Sequence, residues 1–122
     1  MNKNTSESLA YAVAMLQAIL GAGLFVAPWL LGFAGEGISA WMAWVTGAVI
    51  AVIGLLNIDE DSSWPAWANM AAGLWAVIAP WATQFATVEA AMWSHVVVGL
   101  GVIAASLAKL YGGHNWTPRV PA

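Results

Sequence analysis

The chain has 122 residues, of which 61% are hydrophobic and only 7% charged, with a formal net charge of −3. Three basic and six acidic side chains are too few to cover a soluble domain, in which roughly a quarter of residues are charged; the composition points to an integral membrane protein. The negative charge excludes a basic nucleic-acid surface, and the absence of cysteine excludes disulfides, thiolate-bound zinc and iron–sulfur clusters.

A helix needs about 20 apolar residues to cross a bilayer. Taken in chain order, the first such run is Leu9 to Leu31, without a charge and with Gln17 as its one strongly polar residue. The glycine-rich GFAGEG (Gly32 to Gly37) breaks it. The second run, Ser39 to Leu56, ends at the acidic NIDEDSS (Asn57 to Ser63). The third is predicted over Trp64 to Ala86, with Ser63 as N-cap and Pro65 in the first turn, where proline is tolerated. The fourth is predicted over Ala90 to Leu110. The tail GGHNWTPRVPA (Gly112 to Ala122) is broken by glycine and proline and is expected to be extended. The fold class is therefore all-α, with four transmembrane helices. Its organisation reads as an N-terminal segment 1–8, a helical hairpin 9–57, a connector 58–63, a second hairpin 64–111 and a tail 112–122. The first run is long for a signal peptide and is preceded by Lys3 alone, so it is expected to be retained.

Lys3, Lys109 and Arg119 all fall on the side of the termini, while the opposite loops carry Glu36 and Glu89. The positive-inside rule then predicts both termini in the cytoplasm of a bacterial or archaeal cell, the protein lying in its inner membrane. Tryptophans mark the predicted span edges. Trp29, Trp41, Trp44, Trp81 and Trp93 fall at the outer side, Trp64, Trp67 and Trp116 at the inner side, and Trp75 near the middle. Indole favours the headgroup level, so anchoring is the expected role.

The two halves repeat. Shifted by 52 residues, Ala14 to Asn57 align without a gap on Ala66 to Lys109. Pro28/Pro80, Trp29/Trp81, Phe33/Phe85, Trp41/Trp93, Gly21/Gly73 and Gly47/Gly99 are among the identical pairs, and Gln17/Asn69 is a conservative one. Two spans per unit preserve orientation, which predicts a pseudo-twofold axis along the membrane normal. In both halves Ala-Pro-Trp interrupts an apolar helical run, as VAPWLLGF and IAPWATQF. Through Pro28-Trp29 and Pro80-Trp81 the chain resembles the SPW-repeat family of small bacterial and archaeal membrane proteins, from about Leu9 to Tyr111. It departs from that motif in having Ala27 and Ala79 where the family has serine. The resemblance implies a fold of two tandem helical hairpins and no catalytic residues. Physically, each proline is expected to kink its helix near the outer end and set the rim of the bundle; a gating hinge is the functional alternative.

Small residues recur every four positions on each run, as in Ala10/Ala14/Ala18/Ala22 and Ala43/Gly47/Ala51. Such faces let helices approach closely in lipid, within the chain or between chains. Gln17 and Asn69 are expected to hydrogen-bond to each other across the pseudo-twofold, with a polar substrate site as the sharper alternative. Thr46 and Ser106 are expected to bond to their own helix backbone. His95 could ligate the metal of bacteriochlorophyll or haem, Ala91 and Gly99 leaving room for a flat macrocycle. The plainer expectation for it is an interfacial histidine bonded to Ser94, Glu89 or water. The acidic Asp59-Glu60-Asp61 lacks the spacing of a calcium loop.

No nucleophile–base set, metal cluster or phosphate loop appears, so no enzyme is expected. A proton-coupled exporter would need a carboxylate inside a span, and none is present. The expected role is a non-catalytic membrane subunit that packs against and stabilises a larger complex, respiratory or photosynthetic, with no cofactor required. Its partners are then the lipid bilayer and other membrane subunits, or further copies of itself. The alternatives are a pigment- or haem-binding subunit using His95, and a small homo-oligomeric transporter or channel.

Overall fold

The computed structural model describes residues 3–59 and 62–112. Four helices follow one another: α1 (Lys3–Leu30), α2 (Ile38–Leu56), α3 (Trp64–Ala82) and α4 (Glu89–Leu107), the last continuing as a π-helical turn, Ala108–Gly112. There is no strand among the described residues. The expected tail, with His114, Trp116 and Arg119, lies outside them, as do Glu60, Asp61 and the Lys3 side chain. α1, α2 and α4 are long and apolar enough to cross a membrane. α3 has the same length as α2, but Asn69, Pro65, Pro80 and four tryptophans lower its hydropathy.

Helix ends differ from the sequence reading in ways that have local causes. α1 starts six residues before Leu9, because NTSES offers no breaker. α3 stops at Ala82, four residues short of the prediction. Ser63 occupies the N-cap position of α3 but makes no side-chain cap bond, its backbone being already helical (φ −100°, ψ −16°).

The Ala-Pro-Trp motif is a helix end. Each proline lies in the last turn of its helix, two residues before Leu30 or Ala82. Two residues past the helix end the chain turns left-handed, at Gly32 (φ 82°) and its repeat counterpart Gln84 (φ 63°). A left-handed residue at this place, followed by an apolar one, is the common way to close a helix C-terminus. Phe33 and Phe85 are that apolar residue, 1% and 2% exposed, and they plug the proline end of the bundle. After α3 the closing bond is complete: Phe85 N–H donates to the Pro80 carbonyl at 2.8 Å. Pro28 and Pro80 face inward and are buried, while Trp29 and Trp81 point out. The expected rim-setting role thus takes the form of a helix stop, the missing proline N–H falling where the helix is about to end.

The helices pack as two hairpins, α1 on α2 and α3 on α4, and the hairpins meet through α1 on α4 and α2 on α3. These last two contacts are each other's repeat counterparts, as a pseudo-twofold along the bundle requires. Within each hairpin the approach is set by a glycine pair. A Cβ added to Gly21 would lie 2.6 Å from the Gly47 carbonyl oxygen, and one added to Gly73 2.8 Å from that of Gly99. The shared core is built from Leu24, Ile50, Val102 and the two phenylalanines among fully buried alanines. With so little side-chain bulk, dispersion between close backbones holds the helices together, which is how helices associate in lipid.

Candidate functional site

Gln17, Asn57, Asn69, Ser106 and Lys109 gather at the connector end. Gln17 of α1 is fully buried at the bundle centre. Its Nε2 donates to the Val102 carbonyl (3.1 Å) and to Ser106 Oγ (2.9 Å), both on α4. Its Oε1 accepts from Asn69 Nδ2 of α3 (2.9 Å) and from Asn57 Nδ2 at the end of α2. Asn69 Nδ2 also donates to the Ile50 carbonyl of α2 (3.2 Å). One amide therefore touches all three other helices. The expected Gln17–Asn69 bond is present. Ser106 Oγ accepts from Gln17, which reaches it because α4 packs on α1.

The cluster obeys the repeat. Gln17 to Val102 and Asn69 to Ile50 are the same bond in the two halves, because Gln17 corresponds to Asn69 and Ile50 to Val102. A residue bonded to its own counterpart must lie next to the axis that relates the halves. Asn57 and Lys109 form a second such pair. Lys109, carried on the π turn, is 6% exposed. Its Nζ donates to the carbonyls of Asn57, Asp59 and Ser62, each at 2.9 Å, and to Asn57 Oδ1 at 3.2 Å. The ammonium supplies charge-assisted bonds to carbonyls at the C-terminal, negative end of α2 and in the connector that follows. The connector is thereby fastened to the end of α4. In the sequence Lys109 shows only as a positive charge at a span end; the cage of carbonyls around it comes from the fold.

His95 is fully buried, its ring packed on Phe85 with centroids 4.8 Å apart. The Ala91 carbonyl lies 2.8 Å from Nδ1. Ser94 bonds to the Ala90 carbonyl instead. The expected interfacial histidine held by Ser94, Glu89 or water is therefore corrected to a core residue held by its own helix. Nε2 has no hydrogen-bond partner among the described residues. Gly99, expected to leave room for a macrocycle, is closed against Gly73 and Val77 of α3. Among the described residues no three metal-ligating side chains come together.

The tryptophans divide. Trp29, Trp41, Trp64, Trp67, Trp81 and Trp93 are each more than half exposed on the outside of the bundle, as anchors would be. Trp44, expected among them, is tucked against Trp29 and Trp41, its indole N–H buried and without a partner among the described residues.

A duplicated helical hairpin, apolar outside and with its polar groups locked inside, defines a small helical membrane protein. A family model for the SPW repeat domain matches residues 11–109, and the chain belongs to that family. No curated protein and no solved structure gives a match.

Proposed function

We propose that the protein is a non-catalytic integral membrane subunit that packs against and stabilises a larger membrane complex of the energy-converting kind, respiratory or photosynthetic. The observation that carries this reading is the buried polar cluster, in which Asn69 Oδ1 is the one member atom without a hydrogen-bond partner among the described residues. Gln17, Asn57, Asn69, Ser106 and Lys109 bond to one another and to backbone carbonyls across all four helices, an arrangement suited to rigidity. The outward surface is left to large apolar side chains such as Leu16, Ile19, Val52, Leu74, Val97 and Leu100, which suits contact with lipid and with other membrane helices. All four helices cross the bilayer in this reading, α3 included, because α3 is packed in antiparallel order with spans on both sides. The connector and both termini face the cytoplasm, following Lys3, Lys109 and Arg119.

The reading is tested by deleting the chain from its native cell and comparing the membrane complexes on native gels. Loss or shrinkage of one assembled complex is the expected result. An unchanged set of complexes contradicts it.

A further inference from the structure

The repeat calls for one hydrogen bond that is not made. Residues 52 positions apart are counterparts, so Asn57 corresponds to Lys109 and Gln17 to Asn69. In the first half Asn57 Nδ2 donates to Gln17 Oε1. The counterpart of that bond would run from Lys109 Nζ to Asn69 Oδ1. Nζ turns instead to the connector, where it meets the carbonyls of Asn57, Asp59 and Ser62. Asn69 Oδ1 is left buried, without a hydrogen-bond partner among the described residues.

Three observations make this bare acceptor a second seat for the ammonium. First, Asn69 has no better orientation. Its Nδ2 donates to Gln17 Oε1 and to the Ile50 carbonyl, so exchanging its N and O would set Oδ1 against two acceptors. Asn69 is fully buried, where a bare acceptor is destabilising. Second, the other donor that the repeat would supply is spent. Both hydrogens of Gln17 Nε2 go to the Val102 carbonyl and to Ser106 Oγ. The counterpart of Ser106 is Gly54, so the first half has no equivalent of this diversion. Third, Nζ already stands at the edge of the cluster. It lies 3.2 Å from Asn57 Oδ1, on the same amide that donates to Gln17. From the counterpart position Asn57 reaches Gln17 through a single methylene, and lysine has four. The ammonium has three hydrogens for the four oxygens around it, and Asn57 Oδ1 is the most distant of them.

We propose that Lys109 is a two-position latch on the connector. In the outer position, the one described above, it holds the connector to the end of α4. In the inner position Nζ keeps Asn57 Oδ1, donates to Asn69 Oδ1 and lets go of the Asp59 and Ser62 carbonyls. Two connector bonds are exchanged for one bond to an acceptor that is otherwise bare. The outer position is therefore the resting one, and the inner a minor state of the order of a few per cent. Lys109 is carried on the π-helical turn after α4, and α2 has no such turn after it. The hairpins stay joined through Gln17 and Asn69 in both positions. Only the connector is freed, without unfolding a helix, and the latch does not depend on which complex the chain joins.

The test is lysine NMR on the full chain in detergent micelles. The chain has two lysines, Lys3 and Lys109, so labelling lysine at Cε gives two signals, and Lys109→Met assigns them. The Lys109 signal should show relaxation dispersion, the mark of exchange on the microsecond-to-millisecond scale of local opening. Asn69→Leu removes the inner seat and should abolish it; Asn69→Ala, with less bulk to fit, should do the same. Hydrogen exchange gives the second readout. The Ile58 and Asp59 amides are bonded to the Leu55 and Leu56 carbonyls. In the Asn69 variants they should exchange about two- to fivefold more slowly than in the wild type, although the bundle as a whole is less stable. An Asn69 with a structural role alone would make them exchange faster. A flat dispersion profile for Lys109 in the wild type overturns the proposal. So does dispersion that persists in the Asn69 variants, or exchange at Ile58 and Asp59 that is unchanged or faster.

Discussion

Asn69 donates its Nδ2 hydrogen to Oε1 of Gln17 at 2.9 Å, and these two residues, 52 positions apart, are each other's counterpart in the repeat. The same holds for Lys109 and Asn57. Two self-paired positions place the pseudo-twofold axis through the connector end of the bundle and make that end the lock between hairpins.

Removing the centre of the lock should be felt by every helix. Gln17→Leu leaves the side-chain donors of Asn57 and Asn69 short of an acceptor in a buried site. A cost of about 1–3 kcal/mol is expected, measurable by reversible unfolding in mixed detergent. The Gln17→Leu/Asn69→Leu pair should cost less than the sum of the two changes. The coupling should be about 0.6 kcal/mol, the usual size for a hydrogen bond between membrane helices.

Lys109→Met removes a charged donor from three backbone carbonyls. Stability should fall by about 2 kcal/mol, since hydrogen bonds to charged groups are the stronger kind. The local signature is proteolysis: cleavage within residues 57–62 should accelerate relative to the loops at the proline end. Lys109→Arg keeps the charge but brings a planar fork to a cage shaped around one nitrogen, and it should recover only part of the loss.

The glycine pairs set how closely each hairpin closes. Gly21→Ala and Gly73→Ala drive a methyl into the backbone of the facing helix. Each should cost about 1–3 kcal/mol as an overpacked contact. Gly23→Ala, with nothing within 4 Å of the added carbon, is the control and should be neutral or slightly stabilising, helix propensity favouring alanine. The readout is the midpoint of thermal unfolding for all three.

Gln84 does with a side chain what Gly32 does without one, holding φ at 63° in the left-handed region. That conformation is unfavourable by roughly 1–2 kcal/mol for a residue with a Cβ. Gln84 is exposed, so Gln84→Gly loses little packing and should stabilise the chain by about 1 kcal/mol, less the backbone entropy of glycine. Gly32→Gln, the reverse exchange, should lower the unfolding midpoint.

The architecture was legible because a strict repeat of apolar runs leaves few other arrangements. The same alignment exposed Gln17 and Asn69 as partners, since an amide inside hydrocarbon must find one and the counterpart position is the nearest symmetric choice. Lys109 is legible in the sequence only as a positive charge that bears on orientation, because the carbonyls around it are gathered by the path of the connector. The proline motif was read as a kink because the apolar pattern continues to Ala86, and periodicity does not register a left-handed residue at Gln84. His95 looked interfacial from its distance to the span start, yet α4 turns it to the core, where Ala43 stands in the other half. The burial of Trp44 depends on its ring contacts with Trp29 and Trp41, which sequence spacing does not give.

The most direct measurement is gentle extraction of the affinity-tagged chain from native membranes, followed by sizing and subunit mass spectrometry of the same fraction. The account predicts that the chain migrates with a fixed, stoichiometric set of larger membrane subunits. Recovery of a species containing this chain alone, at the same yield and under the mildest detergent, would contradict it.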